Sequence, residues 1–153
     1  MLRKSKYLAV VVIVLGLAGI AVGATFIAQG QAKADYMKDA MRQEQITLGL
    51  DEEAVARGEV VDTAAEAEKA GDTVREHRHG IAESYSELGR YDPENPEHLS
   101  YAQALNLENY LYLSVAGFGL TTVVMASGLF MIIAGIALVL TGGIMFALAR
   151  KAV

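Results

Sequence analysis

All eighteen acidic residues of this 153-residue chain lie between positions 35 and 108, enclosed by two uncharged apolar runs at 7–28 and 111–148. Outside those runs only positive charge remains, with Arg3, Lys4 and Lys6 at one end and Arg150 and Lys151 at the other. Roughly 20 apolar residues carry a helix across a hydrocarbon core of about 30 Å, and each run is long enough. Basic residues that flank a span stay on the cytoplasmic side. The expected fold is therefore mainly α: two antiparallel transmembrane helices extended outside the membrane, with a small acidic extracytoplasmic α(+β) domain. On this map residues 1–6 are a cytoplasmic N-terminus, 7–28 the first span and 29–110 the extracytoplasmic domain. Residues 111–149 form a long apolar helix whose stretch at about 129–149 crosses the plasma membrane, and 150–153 return to the cytoplasm.

A cleavable signal peptide is the rival reading of the first run, with Arg3, Lys4 and Lys6 as its basic region and Ala32-Lys33-Ala34 as the cleavage site. Its 22 apolar residues exceed the roughly 7 to 15 usual for such a segment, which favours a retained span. The segment 29–110 sets eight Lys and Arg against its eighteen acids. An acidic outer face disfavours nucleic acid and anionic lipid, leaving cations or basic partners as the better electrostatic fit. The chain has no cysteine, so disulfides, thiolate metal sites and cysteine nucleophiles are excluded.

Ala32, Tyr36, Met37, Ala40 and Met41 keep an apolar stripe at helical spacing, so the first helix should continue to about Gln45. Two short extended segments, 46–48 and 59–61, are expected around the acidic Asp51-Glu52-Glu53. A helix should run from Thr63, as N-cap, to about His79, weakened by Gly71. A loop follows at 89–96, holding both prolines, and the last helix should start near Glu97.

That last helix has an uncharged run of 38 residues, roughly 57 Å long at 1.5 Å per residue. Fitting it into the membrane would need a tilt of about 58°, beyond the usual range of about 0 to 40°. Either its surplus, 111–128, projects outside, or Ala126-Ser127-Gly128 turns and two short spans form a hairpin. The continuous reading is preferred because a hairpin would put Arg150 and Lys151 outside.

Gly16, Gly23 and Gly30 recur every seven residues in the first helix, as do Ser114, Thr121, Gly128, Gly135 and Gly142 in the last. Such a stripe holds one face toward a partner, and small side chains permit close backbone approach; Gly19 and Gly23 add a small-xxx-small pair. The packing face is therefore assigned to Gly16, Gly19, Gly23, Gly128, Gly135 and Gly142. A projecting apolar helix needs cover, so Leu111, Leu113, Val115, Phe118, Leu120, Val123 and Val124 form a candidate assembly surface. Copies of the same chain, or another membrane subunit, would supply that cover.

Catalytic and metal signatures are weak. Asp72, Glu76, His79 and Glu83 fall on one face if the helix continues, and Glu76-x-x-His79 has the spacing of helical di-iron ligands, but no second such motif exists. A zinc site is the sharper alternative to a solvated acidic face. Asp92 and Glu94, in Asp92-Pro93-Glu94-Asn95-Pro96-Glu97, concentrate oxygen ligands for a hard divalent cation, yet lack EF-hand spacing, and a proline-bounded turn capped by Asn95 explains the same residues. No nucleophile elbow or phosphate loop is present. The expectation is a non-enzyme without a cofactor.

Asp72-Thr73-Val74-Arg75-Glu76-His77 and Ser84-Tyr85-Ser86-Glu87-Leu88-Gly89-Arg90-Tyr91-Asp92-Pro93, followed by the long apolar tail, resemble a group of small bacterial membrane proteins frequent in actinobacteria. The resemblance implies an N-terminal span, a short external domain and a long C-terminal apolar segment. Some of that group carry an aromatic ring-opening dioxygenase label. Three histidines in a short acidic domain show no facial triad for non-haem iron, and the resemblance brings no functional residues with it. The functional expectation is a structural or assembly protein, acting as a homo-oligomer or accessory subunit. The alternative is an oligomeric cation channel with an acidic vestibule and a pore lined by Ser114, Thr121, Thr122, Ser127 and Thr141. The absence of ionisable residues in both runs disfavours it.

Overall fold

The computed structural model describes residues 2–151, with side chains from Lys6 onward. Expectations for residues 1 and 152–153, and for the side chains of Arg3 and Lys4, lie outside the described residues. The elements are α1 (Leu2–Gln43), α2 (Glu52–Ala56), α3 (Ala64–His79), a 3-10 turn (Tyr85–Leu88) and α4 (Pro96–Lys151). Contacts divide the chain into two compact units, one of Met1–Lys33 with Thr121–Val153 and one of Ala34–Leu120. Both α1 and α4 are long and apolar enough to cross a membrane.

In the first unit, two helices press backbone against backbone. Ala9, Gly16, Gly23 and Gly30 are buried on α1, and Thr121, Gly128, Gly135, Gly142 and Ala149 on α4. A Cβ on Gly16 would lie 2.6 Å from the Gly135 carbonyl oxygen, and one on Gly135 would lie 2.6 Å from the Gly16 oxygen. Gly23 and Gly128 repeat the reciprocal contact at 2.5 and 2.6 Å. Further along, a Cβ on Gly142 would meet the Ala9 oxygen at 2.9 Å, and one on Gly30 the Thr121 oxygen at 3.3 Å. Each seven-residue step up α1 is a seven-residue step down α4, so the pair is antiparallel in one fixed register. Gly19 is different: its nearest neighbours would stand at 3.6 Å, ordinary contact distance. Only 11% of the most apolar window of each helix is buried. A core helix of a water-soluble protein would bury most of such a stretch.

The second unit closes around Met41, Val61, Ala67, Ala70, Val74 and Leu111, with Ile46, Leu50, Ala104, Leu107, Val115 and Phe118 packed against them. Thr63 caps α3 with a full capping box: its hydroxyl accepts from the Glu66 amide at 3.3 Å, while the Glu66 carboxylate accepts from the Thr63 amide at 3.1 Å. Such a cap satisfies orphan amides of the first turn. Gly71, expected to weaken α3, is where the Tyr112 ring lies; a Cβ there would stand 3.2 Å from two ring carbons. Gly49 suits its position, with φ +76° and only 3.2 Å between its Cβ position and the Ala70 nitrogen, where any side chain would be strained.

One expectation needs correction, and three further points are fixed in detail. No strand forms among the described residues; segments 46–48 and 59–61 share a single backbone bond, from the Val61 amide to the Ile46 carbonyl at 2.8 Å. The acidic piece between them is instead helix α2, capped by Asp51, whose carboxylate accepts from the Ala54 amide at 2.7 Å. Pairs this short do not make a stable ladder. Second, α1 ends at Gln43 rather than Gln45, because Gln45 turns left-handed at φ +53° and its side-chain amide donates to the Arg42 carbonyl. Third, the preferred continuous reading of the C-terminal run holds, and no hairpin breaks it. Residues 126–128 are helical, and α4 extends 56 residues, about 84 Å. Fourth, α4 begins at Pro96, beside the expected Glu97, at a position that needs no amide donor, and Asn95 caps it as expected by accepting from the Glu97 amide at 2.9 Å.

Replacing Gly135 with Leu should push the two helices apart toward the ~8–10 Å axis separation of ordinary pairs, while Gly19→Ala should leave them in place. Spin labels on cysteines introduced at the outward-facing Leu15 and Leu140 would read the distance; an unchanged value in Gly135→Leu would contradict the glycine seam.

Candidate functional site

The polar chemistry of the Ala34–Leu120 unit concentrates where α3 lies on the start of α4. Ala67, Gly71, Val74 and Arg78 fall at helical spacing on the buried stripe of α3, and Tyr101, Glu108 and Leu111 on that of α4. Two opposite charges are thereby carried into the core. Arg78 and Glu108 are only 8% and 7% exposed. The Arg78 Nε donates to Glu108 Oε2 at 2.7 Å, its Nη2 to Oε1 at 3.4 Å, and its Nη1 to the Tyr101 hydroxyl. The Glu108 hydrogen bond, working against burial, holds the Arg78 guanidinium above its ordinary pKa. A second tier lies beside it: the Arg75 guanidinium sits 4.9 Å from the Tyr112 ring centre, and the Tyr112 hydroxyl donates to Asp72 at 2.6 Å.

No buried side-chain nitrogen or oxygen among the described residues lacks a hydrogen-bond partner. The cluster is satisfied internally and presents no free nucleophile or base. Its role is to clamp α3 to α4. Burying a charge pair is costly, but removing one partner strands the other charge and costs more.

The metal candidates do not converge. Glu83 lies beyond α3, which ends at His79 with Gly80 as its cap, so the four-residue face through Asp72, Glu76, His79 and Glu83 is broken. His79 Nε2 stands 3.1 Å from Arg78 Nη2, facing a donor. Asp92 folds its carboxylate onto the Glu94 amide at 2.9 Å, and its own amide donates to His98 Nδ1 at 3.0 Å. Glu76, Glu83, Asp92 and Glu94 are all exposed. No group of three or more His, Asp or Glu placed to hold a metal ion occurs among the described residues.

The expected assembly surface divides. Leu111 is wholly buried, and Val115 and Phe118 pack on the same core, so these three belong to the domain interior. Their own chain covers them. Leu113, Leu120 and Val123 remain 71, 66 and 61% exposed, and Val124 is half-buried. All six assigned glycines except Gly19 make the tight contacts described above within the chain.

Comparison with protein-family models, with curated proteins and with solved structures returns no match. The residues that carry the resemblance at 72–93 include the domain's own fastenings: Asp72 and Arg75 hold Tyr112, and Val74 is core.

The buried ion pair was missed in the sequence although its signal is there, since Arg78 and Glu108 each occupy a position on the buried stripe of its helix. Glu108→Ala should destabilise the domain by about 3–5 kcal/mol, and Arg78→Met with Glu108→Leu together should recover most of that loss. Thermal unfolding followed by circular dichroism tests this; equal losses in the single and double variants would contradict a clamp.

Proposed function

We propose that the chain is a two-pass plasma-membrane protein, both ends cytoplasmic and residues 34–120 outside, that acts by assembly as a homo-oligomer or as an accessory subunit of a membrane complex. The observation that carries this reading is the glycine seam. It consumes the small-residue face inside the chain and turns Val14, Leu17, Phe130, Ile133, Leu140 and similar side chains outward, each more than half exposed. Such a surface is suited to lipid and to other apolar helices.

The register sharpens where the membrane would lie. Residues 7–28 stand beside 123–144, and 22 helical residues span about 33 Å, close to one hydrocarbon thickness. The crossing part of α4 is thereby drawn about one and a half turns earlier than 129–149. Lys6, Arg150 and Lys151 then flank one side and Lys33 is the first charge on the other, an arrangement that supports the reading with the basic ends inside. Leu113 lies beyond the crossing segment, so the remaining assembly surface centres on Leu113 and Leu120. The resemblance to small bacterial membrane proteins agrees with this layout.

A channel is less well supported. The hydroxyls of Ser114, Ser127 and Thr141 donate to carbonyls four residues earlier in α4, at 2.9, 2.8 and 2.8 Å. Hydroxyls bonded in this way are satisfied without a water-filled pore.

Two measurements test the proposal. Because the chain has no cysteine, Ser86→Cys in intact cells should react with a membrane-impermeant maleimide, whereas a cysteine added at the C-terminal end should react only after lysis. In mild detergent, native mass measurement should give a multiple of the 16.3 kDa chain or a complex with another subunit, reduced to one chain by Leu113→Glu with Leu120→Glu. A single-chain mass for the unaltered protein extracted by several mild detergents would defeat the assembly reading.

A further inference from the structure

Two polar clefts of the domain are lined largely by side chains already bound to one another. Beside Gly58, for example, Arg42 pairs with Asp62 at 2.6 Å, and Glu66 is engaged in the α3 cap. One cleft differs. Glu44, just past the end of α1, shares a cleft of about 360 Å³ with Gln103, Asn106 and Tyr110 of α4, over an apolar floor of Ile46 and Leu107. None of those four polar side chains has a hydrogen bond or ion pair with another described residue. Gln103, Asn106 and Tyr110 fall at i, i+3 and i+7, so successive turns of a rigid helix carry them on one face.

At Asn106 this cleft meets a second, of about 310 Å³, lined by Tyr85, Tyr91 and Asn109. Tyr85 and Tyr91 are 57 and 39% exposed, yet each is steadied from one side. The Tyr85 ring lies 6.3 Å from that of buried Tyr101, and Tyr91 stacks on His98 at 6.2 Å. Both rings thus keep an open surface while packing limits their rotamers.

The chemistry of the lining selects its ligand. It contains one carboxylate, three carboxamides and three phenols, and no Lys or Arg. An anion would find no countercharge there. Carboxamides and phenols both donate and accept, which matches hydroxyl groups that do the same. Flat rings with one open surface match the C–H faces of sugar rings. A peptide would satisfy the carboxamides but would offer those tyrosines no regular flat surface. We propose that the groove running from Glu44 through Asn106 to Tyr85 and Tyr91 is a binding site for a neutral oligosaccharide, stacked on the two tyrosines and hydrogen-bonded by Gln103, Asn106, Asn109 and Glu44. The inference is independent of how many copies assemble.

The test uses the full chain in nanodiscs of neutral lipid, with saturation-transfer NMR and calorimetry against chitotetraose, cellotetraose and, as the peptide arm, acetyl-tetraalanine amide. Binding of at least one tetrasaccharide is expected, weakened about tenfold or more by Asn106→Ala and by Tyr91→Ala with the thermal transition unchanged. Arg57→Ala, outside the groove, should leave it unaltered. Three results would overturn the proposal: no transfer to either tetrasaccharide at ~10 mM, preference for the peptide, or undiminished binding in both groove variants.

Discussion

Everything in the apolar half of this protein depends on two backbones approaching until carbonyl oxygen meets α-carbon. At Gly16 with Gly135, and at Gly23 with Gly128, there is no room for a methyl group on either helix. On the two-pass reading proposed above, the pair would lie in hydrocarbon, where the hydrophobic effect does not hold helices together and close van der Waals contact has to. A seven-residue recurrence of glycine supplies that contact along the whole seam and fixes the register with it. Because the close face is internal, every other face of both helices stays apolar and available to lipid or neighbouring protein.

The polar half is held by a different logic. It is small, has no disulfide and little aliphatic core, and it spends an arginine and a glutamate on joining α3 to α4. Arg78 and Glu108 are nearly as buried as Val74 and Leu111. With Tyr101 completing the hydrogen bonding, the pair fastens one face of α3 to one turn of α4.

How far the sequence predicts these features depends on the range of the interaction. The apolar runs, the Thr63 cap and the proline-marked start of α4 are local signals, and the helices follow them. The seven-residue glycine spacing was visible, but whether it faces the same chain or another is a long-range question answered only by the reciprocal contacts. Segments 46–48 and 59–61 have strand-like composition, yet a short helix capped by Asp51 intervenes and leaves one hydrogen bond between them. Leu111, Val115 and Phe118 looked like surplus membrane helix because their cover comes from α3 and from the chain around Met41, Ile46 and Val61, segments lying 30 or more residues earlier. The groove at Asn106 was illegible for the same reason, since its walls come from three separated stretches of chain.

The order of the core along the chain has a consequence for biosynthesis. Met41 emerges from the ribosome first, α3 next, and Leu111 last, immediately before the apolar remainder of α4. The domain therefore cannot complete its core until Leu111 is made, just before the apolar remainder of α4. The glycine seam likewise waits for the end of synthesis, since the carbonyl oxygens and side chains that Gly16, Gly23 and Gly30 meet all belong to residues 121–139.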